Sequence, residues 1–398
     1  MYINKTILLA VSFILTSILF IKSSNAAEWY MEPKISTQAG YNNNIRLDLN
    51  TDDDASWMFF VSPEAKIGGH DLSWEMDVSA KVDFKRYSSF DNFDTNNLNM
   101  SIHTAHNTER QRLTLDYTLY RDTTLENFID NTGRLDVRAH RNETSEYKPT
   151  WTYQLNERAV LNASGTHTVH DFEEDDPVNT DYKVDTLSAA LQYQWSQPIS
   201  LSLSAFSSDY KQNTVTTGTS INYEGYNLGF NYKYDEMTNI VASLGQQYSN
   251  THKSEIAFGL TTQADTKSKS DLYNLTINTK YELTNYSASY SSQVVGDSQG
   301  NLNNRDEISL NVGHRLSELG ALGLSGRYFT QETISKANDA NDRIFWSISP
   351  AYIYQYSRQS RLKFVYTHME SEYKLNNEAA YSDGFMFILE YNLDKVSL

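Results

Sequence analysis

The chain has 398 residues, no cysteine, and 33 basic against 50 acidic side chains, a formal net charge of −17. An acidic balance of this size argues against a nucleic-acid partner, and without cysteine there is no disulfide framework on which an exported chain could lean. Aromatic residues nevertheless reach 13% (28 Tyr, 17 Phe, 6 Trp), a combination found in some soluble all-β proteins and in membrane barrels with aromatic girdles and a wet interior.

The N-terminus carries Lys5, an apolar stretch from Ile7 to Ile21, and Ser24-Asn25-Ala26 ahead of Ala27. This is the layout of a secretory signal peptide, so residues 1–26 are expected to be cleaved, leaving 27–398 as a single domain. The apolar run is shorter than the ~20 residues of a spanning helix. Removing Lys5 and Lys22 leaves 31 basic against 50 acidic residues, or −19. Past Ala27 no long apolar run recurs, so any further entry into a membrane must be made by a closed sheet, which satisfies its own backbone groups.

From Leu72 to Phe84 every second residue is apolar (Leu72, Trp74, Met76, Val78, Ala80, Val82, Phe84), and the intervening ones are Ser73, Glu75, Asp77, Ser79, Lys81 and Asp83. That is a strand with one oily and one wet face. At ~3.3 Å per residue it reaches roughly 40 Å, long enough for a tilted bilayer crossing with projecting ends. The pattern returns at Leu113 to Leu119, Leu187 to Trp195, Tyr226 to Tyr234, Tyr273 to Tyr281 and Ile344 to Tyr354. Pro33, Pro63, Pro149 and Pro350 fall inside such runs, where a lost ladder donor predicts a bulge or a twisted corner. Val160 to Val169 alternates poorly.

Tight polar turns recur about every 40 residues, among them Gly68 to Asp71, Asn156 to Arg158, Asp235 to Asn239 and Ser357 to Ser360. Longer polar segments separate them, including Tyr41 to Ala55, Thr123 to Asn142, Phe172 to Asp181 and Asn250 to Ser270. Short turn, long loop, short turn is the hairpin rhythm of an up-and-down antiparallel transmembrane β-barrel. The count comes to about 18 strands (16–18), which puts both termini on the periplasmic side. The last strand carries Phe385, Phe387, Leu389, Tyr391 and Leu393 on one face. It resembles the C-terminal signal read by barrel-assembly machinery, with Asp394 to Leu398 extending past it.

The wet faces supply the candidate lumen. Ser200, Ser202 and Ser204, Asn227 and Asn231, and Asn274 and Asn278 offer hydroxyls and amides, whose weak, repeated contacts suit conduction. Lys81, Lys148, Lys233, Lys280, Arg315, Arg327 and Lys363 are candidate lumen-lining cations, interleaved with Glu75, Asp77, Asp83, Asp116 and Glu282. Gathered on one wall they would attract acidic solutes; paired with the carboxylates they would brace the barrel. Asp52 to Asp54 and Glu173 to Asp176 are acidic loop runs without the spacing of a Ca²⁺ loop. His103 and His106, like His167 and His170, stand three apart and so point to opposite faces of a strand, which leaves no metal site. There is no G-x-S-x-G elbow, H-E-x-x-H helix or phosphate-cradling loop; neither a catalytic role nor a cofactor is expected.

Several features in sequence order resemble a known family: Trp29 and Pro33 in the first strand, Tyr41-Asn42-Asn43-Asn44-Ile45, Pro63, Thr132-Gly133-Arg134, Tyr147 to Trp151, and Leu155 to Arg158. They are similar to the outer-membrane β-barrel porins found with exopolysaccharide and exosortase gene clusters in Gram-negative bacteria. The resemblance implies a passive conduit exporting a surface polysaccharide, with outer-membrane lipid, lipopolysaccharide, the assembly machinery and a periplasmic polysaccharide-export protein as partners. Two alternatives stand beside it. One is a general diffusion porin whose third loop, bearing Phe128, Arg134, Arg138 and Arg141, folds inward as a constriction. The other is a non-conducting structural barrel of the secretion machinery.

Overall fold

The structure is a computed structural model that describes residues 28–47, 49, 55–123, 141–172, 180–213, 217–257, 260–296, 302–334, 342–374 and 378–397. The signal segment, Phe128, Arg134, Arg138 and both acidic loop runs lie outside the described residues. The strands are β1 (Glu28–Asn42), β2 (Ser56–His70), β3 (Trp74–Tyr87), β4 (Thr95–Asn107), β5 (Gln111–Thr123), β6 (Arg141–Gln154), β7 (Ala159–Phe172), β8 (Tyr182–Gln194) and β9 (Ile199–Asn213). They continue as β10 (Thr217–Lys233), β11 (Thr238–Ala257), β12 (Leu260–Lys280), β13 (Thr284–Gly296), β14 (Leu302–Arg315), β15 (Gly320–Thr333), β16 (Arg343–Gln355), β17 (Ser360–Tyr373), β18 (Glu378–Asn392) and a short β19 (Val396–Ser397).

Each of the first 17 strands pairs antiparallel with the next, and β1 pairs with β18 from Lys34–Asn392 to Asn42–Gly384, so the sheet closes on itself. Closure removes the free edges of the barrel wall, the condition for a sheet to sit in lipid. The residues past the last long strand return as β19, which pairs with Tyr30 and Met31 of β1. Lys395 lies 3.6 Å from the centre of the Tyr30 ring and 3.2 Å from the Glu32 carboxylate. Residues 395–397 are therefore tied to β1.

Residues directly opposite in an antiparallel pair share a face, so the register assigns every row. Trp57, Phe59 and Val61 oppose Tyr41, Ala39 and Thr37 on the outer face, and Leu201 and Leu203 oppose Phe230 and Leu228 there. These outer side chains meet the surroundings, with Phe59 52%, Leu203 58% and Leu187 68% exposed. An apolar exterior on this scale is a surface for lipid. Toward the long-loop rim the outer rows turn polar, where His167 pairs with Asp185 at 2.6 Å and His368 with Asp383 at 2.8 Å. Poor alternation in β7 has a simple origin: its outer row is Ala159, Leu161, Ala163, Gly165, His167 and Val169, small or polar at four of these six positions.

Five of the eight short turns share one device. Asp71, Asn156, Asp235, Ser317 and Ser357 each accept, through a side-chain oxygen, the backbone N–H groups two and three residues on. Such side chains replace the ladder exactly where two strands must reverse, which is why they punctuate the sequence. The N–H of Ser73 donating to Asp71 holds that carboxyl below its ordinary value. Just before four of the turns an outward aromatic residue follows an inward polar one: Trp195 after Gln194, Tyr234 after Lys233, Tyr281 after Lys280 and Tyr356 after Gln355. Together they form an aromatic girdle at this rim.

Three prolines behave differently from the expectation. At Pro63, Pro149 and Pro350 the ladder toward β3, β7 and β17 lapses for two residue pairs, yet the register on either side of the gap is the same. No bulge is inserted: the missing N–H costs local pairing, while continuous pairing on the opposite edge keeps the strand straight. The second difference concerns Asn250 to Ser270, read from the sequence as a loop. Most of it is paired strand, continuing β11 and β12 as a hairpin up to Ala257–Leu260. Beyond the membrane both faces of a hairpin are wet, so the apolar alternation that reveals a strand is gone.

Candidate functional site: the lumen

The inner rows differ around the circumference. On β8 the inward residues are Tyr182, Val184, Thr186, Ser188, Ala190, Gln192 and Gln194; on β9 they are Ser200, Ser202, Ser204, Phe206, Ser208, Tyr210 and Gln212. With β13 (Asn285, Ser287, Ser289, Ser291, Gln293) these rows carry no charge, and among the described side chains β10, β11 and β12 add only Lys233, Lys253 and Lys280 toward strand ends. From β14 through the closure to β6 the inner face is charged. Arg327 makes two hydrogen bonds to Glu307, at 2.9 and 3.1 Å, and Arg305 lies 3.1 Å from the same carboxylate and 3.8 Å above the Phe329 ring. Lys81 meets Asp83 at 2.8 Å, Lys66 meets Asp77 at 3.3 Å, and His103 sits between Asp116 (2.6 Å) and Glu75 (3.2 Å).

The candidate cations therefore fall into two sets. Lys81 and Arg327 are on the inner face and ion-paired, the bracing arrangement. Lys148, Lys233, Lys280, Arg315 and Lys363 are also on inner rows and have no ion-pair partner among the described residues. Arg141, the one described member of the expected third-loop constriction, is the first residue of β6, opposite Thr123. His103 faces inward while His106 lies opposite outward-facing Trp74, and His167 faces out while His170 faces in.

A constriction that sequence reasoning did not assign comes from the first loop. Leu47, 2% exposed, packs with Phe329, Phe345 and Ala380, all on inner rows. The loop is held there by consecutive asparagines. Asn42 Oδ1 accepts the Asn44 N–H at 2.7 Å and the Ser382 hydroxyl at 2.9 Å, Asn43 Oδ1 accepts the Asp383 N–H at 2.7 Å, and Asn44 Nδ2 donates to the Tyr381 carbonyl at 2.9 Å. Leu47 has φ 50°, a left-handed conformation costing a β-carbon residue about 1–2 kcal/mol, offset by its burial. The signal was present as the Asn42-Asn43-Asn44 run, whose short amides can cap backbone groups.

A second apolar cluster stands on the neutral side. β13 pairs with β12 only as far as Ser292–Tyr273; past that point Val294 and Leu302 at the β13–β14 tip pack against Tyr210, Ile221 and Tyr223 of β9 and β10. Contact between strands three apart carries this tip across the inner face. Beside it lies a cavity of about 910 Å³, bordered by Tyr120, Glu146, Phe206 and Gln247 among others.

No family model matches the chain, and no curated protein does. Solved structures share the architecture. OccAB3 of Acinetobacter baumannii is 10% identical, with 92% of this chain and 99% of that one covered and a TM-score of 0.50. The outer-membrane channel DcaP of Acinetobacter baumannii is 11% identical (93% and 99% covered, TM-score 0.48), and OccK9 (OpdG) of Pseudomonas aeruginosa is also 11% identical (93% and 98% covered, TM-score 0.48). At such identities the likeness is one of fold. A closed 18-strand barrel with an apolar exterior is an outer-membrane protein of a Gram-negative bacterium.

Proposed function

We propose that this barrel is a porin, a passive channel for small polar solutes. The observation that carries the reading is the largely wet inner face: on β9 Ser200, Ser202, Ser204, Ser208 and Gln212 run from the short-turn rim to the long-loop rim, with Phe206 and Tyr210 between them. Barrels of 16–18 strands are wide enough for an aqueous bore. The clusters around Leu47 and around Ile221 narrow the long-loop half, which favours small solutes over a thick polymer. With the chain inserted in liposomes, swelling should be fast in small sugars and amino acids and fall steeply with solute mass. Rates equal to those of protein-free liposomes contradict the reading, and the non-conducting structural barrel then replaces it.

The finer reading, an outlet for a surface polysaccharide working with a periplasmic export protein, is favoured by the uncharged hydroxyl and amide arc from β8 to β13, which can exchange hydrogen bonds with sugars without holding them. Deleting the gene should then abolish surface polymer and leave solute uptake intact. The reverse outcome assigns the bore to small solutes alone.

A further inference from the structure

We propose that the lumen cavity of about 910 Å³ is a binding site for a saccharide of one to three rings; this rests on the channel reading and names the substrate class of the same bore. Three observations converge. The first is a flat apolar platform. Phe206 points inward from β9 opposite Gly225 of β10, and a β-carbon at Gly225 would come within 2.5 Å of Phe206 Cζ and 2.8 Å of the Gln246 carbonyl. Glycine thus lets the ring lie down against the wall. A ring in that posture turns one face to the backbone and the other to the cavity it borders.

The second is another aromatic. Tyr120 enters from the inner row of β5, 38% exposed, and borders the same cavity. The C–H groups of a pyranose carry slight positive charge and suit the negative faces of such rings. The third is the polar complement. Glu146 on the inner row of β6 borders the cavity and has no hydrogen-bond or ion-pair partner among the described residues. A carboxylate only accepts, through two oxygens, and so matches adjacent sugar hydroxyls. Thr168, Ser208 and Gln247 add neutral donors and acceptors around it. The size lies in the range of small-molecule sites. A general solute needs none of this; a polyol ring uses all three.

The test titrates maltotriose into the purified mature barrel in detergent micelles by calorimetry, with a polyethylene glycol of matching mass and choline as comparison solutes. Maltotriose should bind saturably, Phe206→Ala should weaken it about tenfold, Phe206→Tyr should restore it, and Glu146→Gln should weaken it several-fold. Gly225→Ala should behave like Phe206→Ala by lifting the ring. Equal binding of the polyethylene glycol, or unchanged affinity in both Phe206→Ala and Glu146→Gln, overturns the site. So does preferential, Glu146-dependent binding of choline, which would make it a cation site. Binding in micelles needs no conduction: sugar binding without liposome swelling strikes the channel reading alone, and swelling without sugar binding strikes this one alone.

Discussion

The two arcs of the inner wall stay wet inside a membrane by different means. From β14 through the closure to β6 the lumen is lined by charges that face one another, as in Arg327–Glu307 and Lys81–Asp83. From β8 to β13 it is lined by hydroxyls and amides, some of which bond across to a neighbouring strand, as in Ser188 to Ser164 of β7 and Thr186–Ser208 at 2.7 and 2.8 Å. The charged arc spends its polarity on holding strands together. The neutral arc, thinned by inward glycines such as Gly225 and Gly229, leaves room and weak contacts. The neutral arc therefore leaves weak contacts along the bore, while the ion pairs of the charged arc brace the wall, with Tyr120 and Glu146 at its edge reaching the proposed saccharide site.

That division breaks most visibly at Glu307. Glu307→Ala removes the paired acceptor of Arg327 and the ion pair of buried Arg305, and should cost about 3–5 kcal/mol, whereas Ser188→Ala on the neutral arc should cost about 1 kcal/mol. Urea unfolding in micelles, followed by heat-modifiable gel mobility, separates the two; equal losses would erase the distinction. Within the neutral arc the two faces of one strand differ nearly as much. Leu203→Arg should destabilise by about 2–4 kcal/mol on the lipid side, and Ser204→Arg by little while shifting the reversal potential toward anions.

Leu47→Ala should cost about 2 kcal/mol and raise single-channel conductance, because the side chain that fills the space between Phe329 and Phe345 is gone. Unchanged conductance would relieve the first loop of its narrowing role. The smallest effect belongs to the turn at Asp71. Its carboxyl is held below the unfolded value of 3.8 by the Ser73 N–H, so its support is complete above that value and is lost as pH falls through the lower, folded one. Amide exchange at Ser73 and Trp74 should accelerate only in strong acid, and Asp71→Asn should remove the dependence.

Much of the fold was legible because lipid writes period two on one face of every crossing strand. Trp74, Tyr193 and Phe230 could be set on the outer face from spacing alone, and the turn residues Asp71, Asn156 and Ser357 marked the reversals. The β11–β12 extension was hidden because water on both sides leaves no alternation. The division into arcs was hidden for another reason: which strands neighbour one another is fixed by order, but whether Lys81 meets Asp83 or Lys66 meets Asp77 depends on side-chain reach across the pleat. The constriction at Leu47 was missed because a buried loop residue has no period at all, and only its asparagine clamp left a mark.

Because the native chain has no cysteine, the central claim of a greasy outside and a hydrated inside is open to direct reading along β9. Single cysteines placed in turn at Leu201, Ser202, Leu203, Ser204 and Ala205 in the membrane-inserted barrel should react with a charged, lipid-insoluble maleimide only at Ser202 and Ser204. Uniform labelling, or labelling confined to Leu201, Leu203 and Ala205, would contradict the account.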